Sequence, residues 1–405
     1  MKIRSITVFI PSSWSFEPGQ LEKAGKFVAA AQGAFEHAGY AVQTTRLATV
    51  PFTELLGDRT ADEGVHLFQE IEKATSAAGF EYVSFGPVLP DDLSRYALIP
   101  EALAATRSAF FSGLMTRLGG QVSLPAVRLC AQVMHRSAAI SPDGFANLRF
   151  AALANVPPGA PFFPAAYHQG DSPAFALAME AAALAVEAFS QAEDLQAASQ
   201  GLIDRVESHA RSLSQVGQAL QNQYGFGYGG IDFSMAPFPE PAYSLGEALE
   251  QLGVPAVGLH GSMAGAALVA SALDQAHFPR AGFNGLFLPV LEDAVLAARA
   301  AQGSLTVKDL LLYSAVCGTG LDTVPLPGDT SAEALEAVLL DLAVLAQRLD
   351  KPLTARLMPI PGKKAGDPTH FDFAYFANSR VMALDARPLS KKLAGDGAFI
   401  VRPRK

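Results

Sequence analysis

The chain has 405 residues and a mass of 42.5 kDa, room for one large α/β domain or two ordinary ones. Half of it is apolar and 17% is charged, with a mean hydropathy of +0.21, which excludes a disordered or low-complexity chain. A net charge of −9 and no basic block longer than a pair such as Lys363 and Lys364 argue against a nucleic-acid partner.

The first residues mix charges with alternating apolar side chains where a signal peptide needs an unbroken apolar stretch, so residues 3–10 predict a strand. Helical spacing follows over 20–38, then a strand over 40–47 and a helix over 62–78. Further strands are predicted at 82–85, 109–115, 148–154, 230–235, 256–259, 285–290, 311–316 and 353–360. Further helices are predicted at 174–191, 196–221, 244–252, 262–276, 291–301 and 331–349. The most apolar of these, 174–191, carries Glu180 and Glu187 and is too polar to span a membrane. For the last helix, Thr330 and Glu333 have capping-box spacing. No linker stands out, since the run 157–161 is short and sits among apolar residues, so residues 1–405 read as one domain. About ten strands alternating with helices predict a mostly parallel sheet, open or closed. Cys130 and Cys317 lie far apart, which excludes a disulfide framework and suits a reducing cytoplasm.

Unusual residues gather in the second half. In Gly229 to Pro237, Asp232 and Ser234 share one face of a strand; a buried aspartate there is a candidate general base, or it caps a turn. His260 sits between glycines before a helix that opens on Ser262, and His168 stands in Tyr-His-Gln-Gly; each is a candidate proton carrier or a hydrogen-bonded structural group. Cys317 heads a polar, Gly/Pro-rich stretch over 317–330 that reads as a loop; it is a candidate nucleophile or a small core residue. Within that stretch Asp322 and Asp329 suit substrate positioning, a divalent metal, or turns. Lys363, in Pro-Gly-Lys-Lys-Ala-Gly-Asp, suits an anionic substrate group or solvent, and the spacing is not that of a P-loop.

Taken in order, Ile-Pro-Glu-Ala-Leu-Ala from Ile99, Tyr-His-Gln-Gly, Ile-Asp-Phe-Ser-Met-Ala-Pro, Leu-His-Gly, Gly-Leu-Phe-Leu-Pro-Val-Leu-Glu-Asp from Gly285, the 317–330 stretch and Pro-Gly-Lys-Lys-Ala-Gly-Asp resemble the uncharacterised family called domain of unknown function 711. The resemblance runs from about Ile99 to Met382. It implies a fold similar to the closed ten-stranded α/β barrel of pyruvate formate-lyase and its glycyl-radical relatives. Those enzymes carry an Arg-Val-x-Gly string whose glycine holds the radical. Here the nearest string is Arg380-Val381-Met382-Ala383, and there is no adjacent cysteine pair, so no glycyl radical is expected. The apolar run Ala109 to Met115 stands where many members are more polar.

Two functional readings compete. The first is an enzyme, of lyase, isomerase or hydrolase type, using general acid–base chemistry on a small anionic metabolite. Asp232 and His260 would move protons, with His168 and Cys317 as secondary candidates and Lys363 on the anion, while Ser234, Asp322 and Asp329 would line the site. The second is a non-catalytic small-molecule carrier or sensor on an enzyme-like barrel. The cofactor is unspecified, a divalent metal fits either reading, and self-association is left open. Both readings expect His168, Asp232, His260, Cys317, Asp322 and Lys363 around one cavity, because parallel strands end on one side.

Overall fold

The computed structural model describes residues 1–117, 119–316 and 318–403. Four strands open the chain, β1 (Lys2–Phe9), β2 (Thr45–Ala48), β3 (Tyr82–Val88) and β4 (Ala109–Leu114). Two short strands follow, β5 (Thr116–Arg117) and β6 (Gln121–Ser123), then β7 (Phe150–Ala154), β8 (Ala174–Glu180) and β9 (Gly227–Ala236). The last are β10 (Gly320–Pro327), β11 (Leu353–Ile360) and β12 (Ala398–Ile400). They form a nine-stranded sheet in the order β10-β11-β7-β4-β3-β2-β1-β8-β9 and a three-stranded sheet β12-β6-β5.

The large sheet is parallel except at the β1–β8 and β7–β11 junctions, which are antiparallel. One run, β1, β2, β3, β4 and β7, therefore points one way, while β8, β9, β10 and β11 point the other. This corrects the expectation that all strands end on one side. The edge strands β9 and β10 have a common neighbour, residues 279–291. The amide of Ile231 donates to Pro279 O at 2.9 Å and that of Met235 to Gly285 O at 3.2 Å, while Val290 donates to Asp322 O at 3.0 Å. Parallel bridges join Ile231 to Arg280 and Asp322 to Pro289. This segment corresponds to the strand expected at 285–290, in irregular form.

Strands of the large sheet are buried along almost their whole length, as near-continuous apolar runs in a helix-covered sheet require. Helices at Pro18–His37, Ala61–Ala77, Leu195–Tyr224 and Ala332–Leu349 pack outside, within two residues of expectation at their starts. The last is capped by Ser331, whose side chain accepts from the Ala334 amide, in place of Thr330. Ser262 is likewise not the N-cap of its helix, Ser262–Gln275; Gly261 holds that position.

Four assignments fail. Residues 174–180 are a strand, because pairing with β1 and β9 on both sides overrides the helical propensity of an alanine-rich run. The stretch 256–259 forms a turn, and 311–313 belong to the helix Val307–Tyr313. Conversely, 320–327 is a strand despite Pro325 and Pro327, which an edge position tolerates. Among the described residues no helix is long and apolar enough to cross a membrane.

Candidate functional site

The strands of the first run turn polar side chains inward. Ser5 and Thr7 share a face of β1 by the two-residue period, and Ser84 does the same on β3. These hydroxyls hold residues 155–168, a mostly buried loop that closes on itself against β1 and β3. Thr7 Oγ1 donates to Pro161 O at 2.8 Å, Ser84 Oγ to Ala166 O at 2.7 Å, and the Gly159 amide to Tyr167 O at 2.9 Å. The tip carries Phe162 and Phe163, the latter followed by a cis peptide bond to Pro164. Phe162 stacks on Phe287 and Phe163 meets Phe110 edge-on.

Beyond that tip lies a cavity of about 390 Å³, at the end of the sheet where β1, β2, β3, β4 and β7 begin. Its walls are aromatic, from Phe110, Phe162, Phe163, Phe287, Tyr82 and the C-terminal Phe373 and Tyr375, and its polar surface is dominated by arginine. Arg4 donates to Glu292 and, at 3.1 Å, to Pro237 O. Arg356 Nη2 donates to Glu292 at 2.8 Å and to Asp322 at 2.7 Å, and its Nε also donates to Asp322. A bulge between Leu321 and Val324, with Thr323 at φ 42°, places Asp322 against Arg356. Burial opposes ionisation of Glu292, but Arg4 and Arg356 together hold its carboxyl below the usual range. Burial raises Asp322 against the pull of its bidentate arginine, and the two carboxylates raise Arg356 above its ordinary value.

Arg4, Glu292, Arg356 and Asp322 balance to zero charge, whereas Arg46 and Arg149 have no ion-pair partner among the described residues. Arg149 hydrogen bonds to Leu103 O at 2.6 Å, Ala109 O at 3.2 Å and the Thr106 hydroxyl at 3.2 Å, stitching a helix end to β4. Among the described residues Arg46 hydrogen bonds only through Nε, to Thr44 Oγ1 at 2.9 Å. Its guanidinium lies 5.2 Å from the Phe163 ring centroid and 5.8 Å from that of Tyr82. Desolvation, with repulsion from Arg4, pushes it down to about 10, so it stays cationic at neutral pH. Tyr82 is raised by burial, with Arg46 pulling the other way.

A family model described as "Uncharacterised ACR (DUF711)" matches residues 1–378. The chain belongs to the DUF711 family. The UPF0210 protein of Pyrobaculum aerophilum is 33% identical over 81% of the chain and 76% of its own length. That of Pyrobaculum arsenaticum is 32% identical over 87% and 80%, and that of Neisseria meningitidis serogroup C 27% over 82% and 77%.

In this DUF711 chain the residues singled out from sequence do not gather around one cavity. None lines the arginine cavity, although Asp322 supports it through Arg356. His168 lines a second cavity at the opposite end. Asp232 is wholly buried, accepting from the Ser234 hydroxyl at 2.7 Å, the Phe283 amide at 2.6 Å and the Asn284 amide at 3.0 Å. Burial raises its carboxyl, opposed by those donors. Ser234 also accepts from the Gly285 amide at 3.3 Å, so this pair fastens 283–285 to β9.

His260 is exposed on the outer surface, in the turn before Ser262–Gln275. Lys363 and Asp329 follow β11 and β10, half-buried and exposed respectively, and line neither cavity. The physical reason for the dispersal is the pair of antiparallel junctions, which sends strand ends to opposite sides. Cys317 lies outside the described residues. Ala383 is exposed beside an outer groove, away from both cavities. Among the described residues no group of three or more His, Cys, Asp or Glu side chains is placed to hold a metal ion.

Sequence reading passed over Arg4, Arg46 and Arg356, yet each sits inside a strand it had placed, at 3–10, 40–47 and 353–360. A guanidinium within a buried apolar strand needs a partner or a ligand, and that signal was available. Glu292 lay inside the Gly285 to Asp293 motif without being singled out.

Proposed function

We propose that this protein binds a small organic anion with a planar or branched apolar body in the arginine cavity, in a closed ten-membered α/β barrel. Residues 279–291, bonded to both sheet edges, support the closure as an irregular tenth member. The observation that carries the function is Arg46. Its terminal amines face the cavity without a carboxylate partner, beside aromatic rings that suit the ligand's body. A carboxylate or phosphate completes that site as a neutral group does not. Benzoate and benzamide, titrated by calorimetry, separate the cases: benzoate binds at least about tenfold more tightly, and Arg46→Met removes the preference. Equal binding of both molecules to the wild-type chain overturns the proposal.

The use of that anion is acid–base chemistry, as in an enzyme of lyase, isomerase or hydrolase type. At the cavity both Glu292 oxygens are tied to arginines, which leaves Tyr82 and Tyr375 as phenols able to carry a proton there. Incubation with enolisable carboxylates in D2O, followed by proton NMR, tests this. Exchange lost in Tyr82→Phe supports catalysis, whereas binding without exchange favours the carrier or sensor reading.

A further inference from the structure

The loop 155–168 also walls the second cavity, of about 470 Å³, where β1 ends and β8 and β9 begin. Phe9, Phe175, Pro157 and Pro158 make its surface mostly apolar. His168 is its buried polar side chain, 7% exposed, with its ring centroid 6.2 Å from that of Phe9. The His168 amide donates to Thr49 O at 2.8 Å, which fixes the backbone beneath the ring. Its Nε2 is buried and has no hydrogen-bond partner among the described residues. An imidazole nitrogen in that position is normally matched by protein, water or ligand.

Among the described residues no uncommitted charge lines this cavity, although the exposed Asp171 lies close enough to act on the His168 imidazole. Asp232 lies behind the Gly282 wall, its oxygens engaged by Ser234, Phe283 and Asn284. The Arg280 guanidinium donates to Leu273 O and, at 2.7 Å, to Ala276 O, and lies 4.5 Å from the Phe278 ring centroid. Burial also holds the His168 imidazole below its ordinary value, against the opposing pull of the Ser172 backbone and the Asp171 carboxylate, favouring its neutral form. An ion placed here would be desolvated without compensation. We propose that the second cavity is a separate binding site for a neutral, mostly apolar molecule bearing one hydroxyl, whose oxygen meets His168 Nε2. A hydroxyl both donates and accepts, so it matches either imidazole tautomer.

Benzyl alcohol and toluene, nearly the same shape with and without the hydroxyl, are the probes, applied to the full chain. In nitrogen-15 NMR of the histidine rings, benzyl alcohol is expected to move the His168 Nε2 resonance while toluene leaves it in place. By calorimetry benzyl alcohol binds about fivefold more tightly than toluene, the effect of one hydrogen bond. His168→Phe abolishes that preference and Arg46→Met preserves it. The wild-type spectrum carries the test by itself if His168→Phe does not fold. An unmoved Nε2 resonance at saturating benzyl alcohol, or displacement of benzyl alcohol by benzoate in direct competition, overturns the proposal.

Discussion

The two cavities share one loop and differ in nearly everything else. At one end the walls hold five arginines and a buried glutamate among aromatic rings; at the other they are mostly proline, phenylalanine, alanine and glycine, with Arg280 engaged by backbone carbonyls and one histidine of unmatched polarity. The difference teaches where charge is tolerated in this interior. Guanidinium groups enter the sheet where Glu292 and Asp322 can reach them, while Arg46, like Arg149 without an ion-pair partner among the described residues, lines the open space. Where Asp232, the carboxylate behind the wall, is already saturated by local donors, the cavity lining keeps no uncommitted charge among the described residues.

The sharpest way to break this contrast is to remove the centre of the ion network. Arg356→Met strands Glu292 and Asp322 as buried carboxylates missing their shared partner, and is expected to destabilise the fold by about 3–5 kcal/mol. Urea unfolding measures it, and a loss below about 1 kcal/mol would mean that the network does not hold the cavity together.

At the neutral end, Gly282→Ala should be the most damaging small change. Its φ is +71°, and an added Cβ would lie 2.1 Å from Asp232 Oδ2. Strain and a displaced carboxylate together are expected to cost about 2–3 kcal/mol, seen as a lower Tm, whereas Gly159→Ala, with open space around its Cβ, loses only the smaller backbone contribution.

Arg46→Met sharpens the comparison from the charged side. It removes an unpaired cation from a desolvating wall, so stability is expected to change by less than about 1 kcal/mol while benzoate affinity falls by at least about tenfold. A large stability loss with affinity intact would assign Arg46 to the framework.

The smallest effect is a pH slope. The His168 pKa is lowered by burial, so the unfolded chain binds more protons than the folded one below the ordinary histidine value of 6.5. Stability attributable to this residue is therefore present above 6.5 and declines as pH falls from there towards the lowered value. His168→Phe should flatten the unfolding free energy across that range, leaving the residual slope of His209, which burial lowers too. An unchanged slope would show that His168 does not titrate differently on folding.

Much of this molecule is legible in its residues, because local periodicity reports which side chains face a core. The alternation in 3–10, the apolar run 353–360 and the long amphipathic helix near 196–221 all give elements close to those observed. Even the key charges are visible as arginines inside apolar strands. Local pattern could not decide 174–180 or 320–327. An alanine-rich run becomes a strand only when flanked by β1 and β9, and a proline-bearing run only at an edge.

The sequence by itself determined an α/β chain with apolar strands, outer helices and charges that demanded buried partners. Only the tertiary structure decided which partners those were. Arg4 meets Glu292 across 288 residues and Arg356 meets Asp322 across 34, contacts set by the sheet order and its two antiparallel junctions. Strand order and direction arise from long-range pairing, on which local hydrophobic period is silent, so the residues around each cavity emerge only when the sheet is assembled.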